Sequence, residues 1–164
     1  MSPAESPAMT HDYRATVRWT RDGAVFTDAR YSRAHVWAFD DLEVPASSSP
    51  HSVRVPFSRA DAVDPEEALV AAAASCHMLF VLDFARRAGF VVDSYEDAAV
   101  GLMTPNERGK MFLSHITLNP VLVFSGRRPT DAEVEAIHHQ AHEECYVAHS
   151  LKAEIAIAHR YLAA

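Results

Sequence analysis

The chain has 164 residues, 49% of them hydrophobic and 23% charged, which is enough for one globular domain with a real core. A formal net charge of −7 with no Lys/Arg cluster argues against nucleic acid or an anionic membrane as a partner. No basic n-region with a following apolar run opens the chain, so no secretory signal is visible and a cytoplasmic location is expected, where two cysteines are free thiols suited to chemistry or metal binding rather than a structural disulfide.

Residues 1–11 read as a flexible leader, followed by a single domain over 12–164. Asp22-Gly23, between the alternating run Thr16–Thr20 and Ala24–Phe39, predicts a β-hairpin turn. The Pro/Ser stretch Pro45–Pro50 then separates that hairpin from Val53, Val55 and Phe57, which alternate as a third strand. At Asp64-Pro65-Glu66-Glu67 the period changes: a capping aspartate, a proline at the first helical position and a glutamate at N3 predict a helix start. That helix should run to about Arg87 and stop at Gly89. From Ala68 to Leu82 it carries no charge, and only Ser75 and His77 are polar, so it is expected to be buried on most sides. The uncharged run is short of the ~20 residues a bilayer needs.

Ala98, Val100 and Leu102, and then Phe112, Ile116, Leu118, Leu122 and Phe124, predict two strands joined by the polar loop Thr104–Lys110. Thr130 and Glu133 form a second capping box, and Val134, Ile137, Ala141 and Cys145 share one face of the helix it opens. A closing strand follows over Leu151–Tyr161. The order β-β-β-α-β-β-α-β predicts an α+β fold of antiparallel sheet around two helices.

Cys76 lies in the middle of the apolar helix, where a thiol is ordinarily a small inert hydrophobe. Burial raises a thiol's pKa, so a reactive Cys76 needs a cation close by. If Tyr31–Phe39 is one continuous strand, Arg33 shares its face with Tyr31, His35, Trp37 and Phe39 and points inward, toward an anion. Arg54 falls on the opposite face from Val53, Val55 and Phe57 and is expected to be solvated, and Arg59 is a reserve candidate. His77, some 100° around the helix from its neighbour, cannot serve Cys76 as a base.

Asp64-Pro65-Glu66-Glu67 with Leu69 and the Ala-rich run into Ser75-Cys76, and Ala141-His-Glu-Glu-Cys145 with Ser150-Leu151-Lys152 beyond, resemble the OsmC/Ohr proteins, bacterial organic-hydroperoxide reductases. The likeness spans roughly Val17 to Tyr161. It implies that Cys76 is the peroxide-attacking cysteine, Cys145 the resolving one, and Glu66 the family's glutamate. A catalytic arginine from the N-terminal strands is also implied, for which Arg33 is the choice. The resemblance further implies an intertwined homodimer with composite sites, no cofactor, and an external dithiol as reductant. Tyr31-Ser32-Arg33-Ala34-His35 and the pair Cys76-His77 resemble a distinct OsmC-like subgroup, and Tyr146-Val147-Ala148-His149 stands where many relatives have Pro-Val-Ser.

On this reading the Cys76 thiolate attacks a hydroperoxide and becomes a sulfenic acid, which Cys145 converts to a disulfide. Arg33 steadies the charge and Glu66 holds its fork. Glu66 and Cys76, ten residues apart, would be ~15 Å apart along a straight helix and cannot touch. Leu69, Met78, Leu79, Phe80 and Trp37 favour bulky organic hydroperoxides. Two alternatives stand beside this: a metal site on His138, His142 and Cys145 with His139 adjacent, all on the second helix, and a non-catalytic ligand-binding protein with vestigial thiols.

Overall fold

The structure is a computed structural model that describes residues 10–163; the expected leader falls largely outside them, and Thr10 and His11 are exposed without regular structure. The chain divides after Pro65 into two compact units. Its described elements are nine strands and three helices, an α+β arrangement as expected, with more and shorter elements than the eight foreseen.

The first unit is a three-stranded antiparallel sheet of β1 (Thr16–Arg18), β2 (His35–Phe39) and β3 (Leu42–Ala46), in that order. Asp22 and Gly23 do form a turn, with φ of 52° and 76° and a bond from Ala24 N–H to the Arg21 carbonyl of 3.2 Å. It lies inside a long loop, however. The hairpin is made instead at Asp40-Asp41, where Asp40 has φ 50° and Phe39 pairs with Leu42. The expected strand at Val53, Val55 and Phe57 is absent: these residues form turns, one closed by Phe57 N–H to the Arg54 carbonyl at 3.1 Å, and Pro56 has no N–H to give a ladder. The strand sits earlier, at β3, through the Pro45 that had been read as a separator.

The second unit is built on α1 (Pro65–Arg87), which starts and stops where predicted, with Gly89 at φ 79°. It continues through β4 (Val91–Asp97), β5 (Val100–Pro105), β6 (Met111–Leu118), β7 (Pro120–Ser125), α2 (Asp131–Glu144), α3 (Tyr146–Ser150), β8 (Glu154–Ile157) and β9 (Arg160–Ala163). Two sheets result, ordered β4-β7-β9 and β5-β6-β8. They are mixed rather than purely antiparallel: β8 runs parallel to β6 and β9 parallel to β7. The long strand expected to reach Phe124 is cut at Asn119, and the closing strand at Ala158-His159, so that each half joins a different sheet. Asn119 pins the first crossing, its backbone N–H donating to Asp97 Oδ1 at 2.7 Å and its Nδ2 to the Ala98 carbonyl at 3.0 Å.

Two apolar clusters lie along α1. Its first half packs Ala73 against Ile116 and Leu118, with Leu113, Val147, Leu151 and Ile155 around them. Its second half packs Val81, Phe84 and Ala85 against Leu122, Phe124, Val134, Ile137 and Ala141. Burial on most sides does not hold, because Leu79 is 62% exposed and Leu69 37%. By length and composition the whole 23-residue helix could also cross a membrane, so the uncharged run alone had understated its apolar reach. Here its inner face is part of a protein core.

Candidate active site

Cys76 lies at the middle of α1, between the residues that feed the two clusters, and is half-buried. Cys145 is reached from the other direction. The capping box at Thr130 forms as predicted, with Glu133 N–H donating to Thr130 Oγ1 at 3.3 Å and Thr130 N–H to Glu133 Oε2 at 2.8 Å. From there α2 buries Val134, Ile137 and Ala141. The helix stops at Glu144, one residue short of the cysteine, and Cys145, at φ −70° and ψ 107°, is the joint between α2 and α3. Its side chain nonetheless points inward, at 2% exposure.

The two cysteines are free thiols. Burial first, and then the neighbouring Cys76, push the Cys145 thiol up to about 11, against the pull of the Ala148 and Val147 backbone. At neutral pH Cys145 is therefore a proton-bearing thiol beside the more accessible sulfur. Phe80, one turn beyond Cys76, meets Tyr146, the residue after Cys145, edge to face at 5.3 Å between ring centroids. An aromatic wall thus stands beside the thiol pair.

Glu66 is half-buried in the first turn of α1. Because α1 is continuous from Pro65 to Arg87, the ~15 Å axial separation of Glu66 from Cys76 holds, and the two carry no direct contact.

Arg33 is not on a strand, since β2 begins at His35, so the face-parity argument for it fails. It sits in the loop before β2 with its guanidinium folded back. Nη1 donates to the carbonyls of Ala29 at 2.7 Å and Tyr31 at 2.5 Å, and the guanidinium lies 3.9 Å from the centroid of the Tyr31 ring. Arg59 spends its fork on Asp61, with Nε and Nη2 donating to the two carboxylate oxygens at 2.9 and 2.8 Å. Arg54 lies over Phe57 at 5.8 Å.

On α2, His139 is exposed and His142 half-buried, while His138 is buried. His77 and His138 are 1% and 2% exposed and bond to each other, Nε2 to Nδ1, at 2.9 Å. His159 stacks on His138 at 4.5 Å between centroids and meets Glu135 at 2.8 Å. Burial above all, and then the neighbouring imidazoles, lower His77 to about 4 and His138 to about 3. His138 thus turns to His77 and Cys145 to Cys76, so the proposed His138, His142, Cys145 metal set does not assemble. Among the described residues, no three His, Cys, Asp or Glu side chains are grouped to hold a metal. No sequence signal marked the His77–His138 pair, whose members are 61 residues apart.

The family model for OsmC-like proteins matches residues 58–160. Among solved structures, an OsmC-like protein of unknown function from Vibrio cholerae is 44% identical over 93% of this chain and 100% of its own, with a TM-score of 0.88. An organic hydroperoxide resistance protein from Elizabethkingia anophelis is 14% identical, covering 96% of this chain and 99% of its own at a TM-score of 0.69. The organic hydroperoxide resistance protein OhrB of Bacillus subtilis is 15% identical, covering 93% and 98% at 0.59. At such identities the last two share the fold. No curated protein matches the chain.

Proposed function

The chain belongs to the OsmC-like family, and from that premise we propose that it is a thiol peroxidase that reduces organic hydroperoxides through Cys76 and Cys145. The observation that carries this reading is the pairing of a half-buried thiol, Cys76, with a buried and proton-bearing one, Cys145. Those are the two states a peroxidatic and a resolving cysteine need.

The Cys76 thiolate attacks the distal oxygen of ROOH; the O–O bond breaks, a proton is taken up, and ROH leaves with Cys76 as sulfenic acid. The Cys145 sulfur then attacks the sulfenic sulfur and its proton departs with the hydroxyl as water, leaving a Cys76–Cys145 disulfide. An external dithiol reduces that bond and is itself oxidised. The guanidinium that steadies the thiolate and the developing alkoxide is assigned to Arg33, with Glu66 as its carboxylate partner. Arg59 is the weaker choice because Asp61 occupies its fork. The Phe80–Tyr146 wall favours substrates with a bulky apolar R group over hydrogen peroxide.

One equivalent of cumene hydroperoxide should produce an intramolecular Cys76–Cys145 disulfide, detected by mass spectrometry of peptides. Cys145→Ser should stop at a sulfenic acid that dimedone traps, and Arg33→Ala should slow the first step. A protein that stays fully reduced under these conditions is not a peroxidase, and its apolar surround would then serve ligand binding alone.

A further inference from the structure

The short helix α3 lies beside the turn of α1 that carries Cys76, and its first two residues bracket that turn. On α1, Ala73, Cys76 and Phe80 are spaced i, i+3 and i+7 and share one face. Val147 packs on the cluster that contains Ala73, Ile116 and Leu118. Tyr146 sets its ring against Phe80, with 86° between the two planes, and Cys145, which precedes both, neighbours Cys76. The ring pair therefore stands about one helical turn from Cys76, ~5.4 Å along the axis of α1.

Both rings are held from behind. The Tyr146 carbonyl accepts from Ser150 Oγ at 2.8 Å, and the Cys145 carbonyl from the His149 N–H at 3.2 Å. His149 Nε2–H in turn donates to the Glu143 carbonyl at 2.7 Å, which closes α3 back onto the end of α2. Phe80 stacks on Phe84 at 6.1 Å between centroids, and Phe84 belongs to the core. Tyr146 is nevertheless 71% exposed, so most of its ring is open to an incoming molecule.

Two rings at right angles make a corner. A flat aromatic group entering it can stack offset on one ring and turn its edge to the other, both arrangements that ring quadrupoles favour. A saturated group of the same size gains only the buried area. In an aryl-substituted tertiary hydroperoxide a few bonds separate the ring from the distal oxygen, a reach comparable with the single turn between Phe80 and Cys76.

We propose that this corner is an aryl subsite beside Cys76 and that Tyr146 is its specificity-determining residue, selecting hydroperoxides whose R group carries an aromatic ring over saturated ones of equal bulk. This rests on the reading of the chain as an organic-hydroperoxide reductase and names the substrate class within it. Every residue of the subsite belongs to the second unit.

The test compares kcat/KM for cumene hydroperoxide with that for its ring-hydrogenated analogue, which has the same branching and nearly the same bulk. The parent protein should prefer the aromatic substrate about three- to tenfold, the scale of one aromatic pair. Most of the difference should appear in KM, because the ring contact is made before the O–O bond breaks. Tyr146→Phe keeps the ring and should keep that ratio, whereas Tyr146→Leu keeps apolar area without the ring and should bring the ratio near one. A parent that consumes both hydroperoxides with equal kcat/KM, or a Tyr146→Leu protein, folded by circular dichroism, that retains the parent preference, overturns the subsite and leaves the reductase reading standing. Should Tyr146→Leu not fold, the parent ratio decides, a preference for the aryl substrate supporting the subsite and equality overturning it. Consumption of neither hydroperoxide by the parent removes the reductase reading and the subsite with it.

Discussion

Two imidazoles buried against each other make a protein sensitive to acid. In the unfolded chain His77 and His138 take up protons near pH 6.5. In the fold they do so only at about 4 and about 3. Above pH 6.5 both states hold neutral rings and nothing is lost. As pH falls from there toward 4, the unfolded chain binds protons that the folded one refuses, and stability drops by about 1 kcal/mol per pH unit for each histidine. His142 and His159 lie in the same field, and His159 is paired with Glu135. Urea denaturation at a series of pH values should show this slope, and it should flatten in the double variant His77→Leu, His138→Leu. His77→Leu alone strands the other ring and should cost about 1–3 kcal/mol, more than the double change. A stability profile flat between pH 6.5 and 4.5 would contradict the assignment of both rings as buried and neutral. None of this was legible in the sequence, because hydrogen bonding across 61 residues leaves no local pattern. The two thiols were legible, through the motifs around them. Arg33 was not legible in this way, because the alternation used to place it was read into a loop before His35.

Helix punctuation was read correctly because it is local chemistry: Pro65, Gly89 and the Thr130–Glu133 box each act within four residues. The strands failed where burial and pairing part company. The alternation of buried side chains runs unbroken through Leu118, Pro120, Leu122 and Phe124, while the hydrogen-bonding partners change at Asn119. A period-two pattern reports which face is inside and nothing about the neighbour. β4 escaped for the opposite reason: a bulge between Val92 and Ser94 shifts the half-buried positions from Val92 to Tyr95 and Asp97, erasing the period. β5 offers a test of packing against α1. A Cβ on Gly101 would stand 2.6 Å from Val70 Cγ2 and 2.8 Å from Leu113 Cδ1. The leucine can turn aside, but the β-branched valine on a helix has one favoured rotamer. Gly101→Ala is therefore expected to cost about 1–3 kcal/mol, seen as a lowered Tm in calorimetry; an unchanged Tm would mean that the sheet backs away freely.

For the whole molecule, the apolar residues left uncovered on the second unit bear on assembly. Leu69 and Leu79 on α1, at 37% and 62%, and Val100 and Leu102 on β5, at 60% and 54%, face outward. A homodimer, implied by the family resemblance, would cover such surface. Light scattering at micromolar concentration should then give about twice 18.1 kDa, and Leu79→Glu should shift it toward the single-chain mass. A single-chain mass for the parent protein would remove the dimer from the account. The pairing of β8 with β6 and β9 with β7 has its own outcome during synthesis. Both central strands leave the ribosome with one flank bare and stay so until Glu154–Ala163 arrives, so that a nascent chain paused before that decapeptide displays two open templates at once and should then draw most on chaperones.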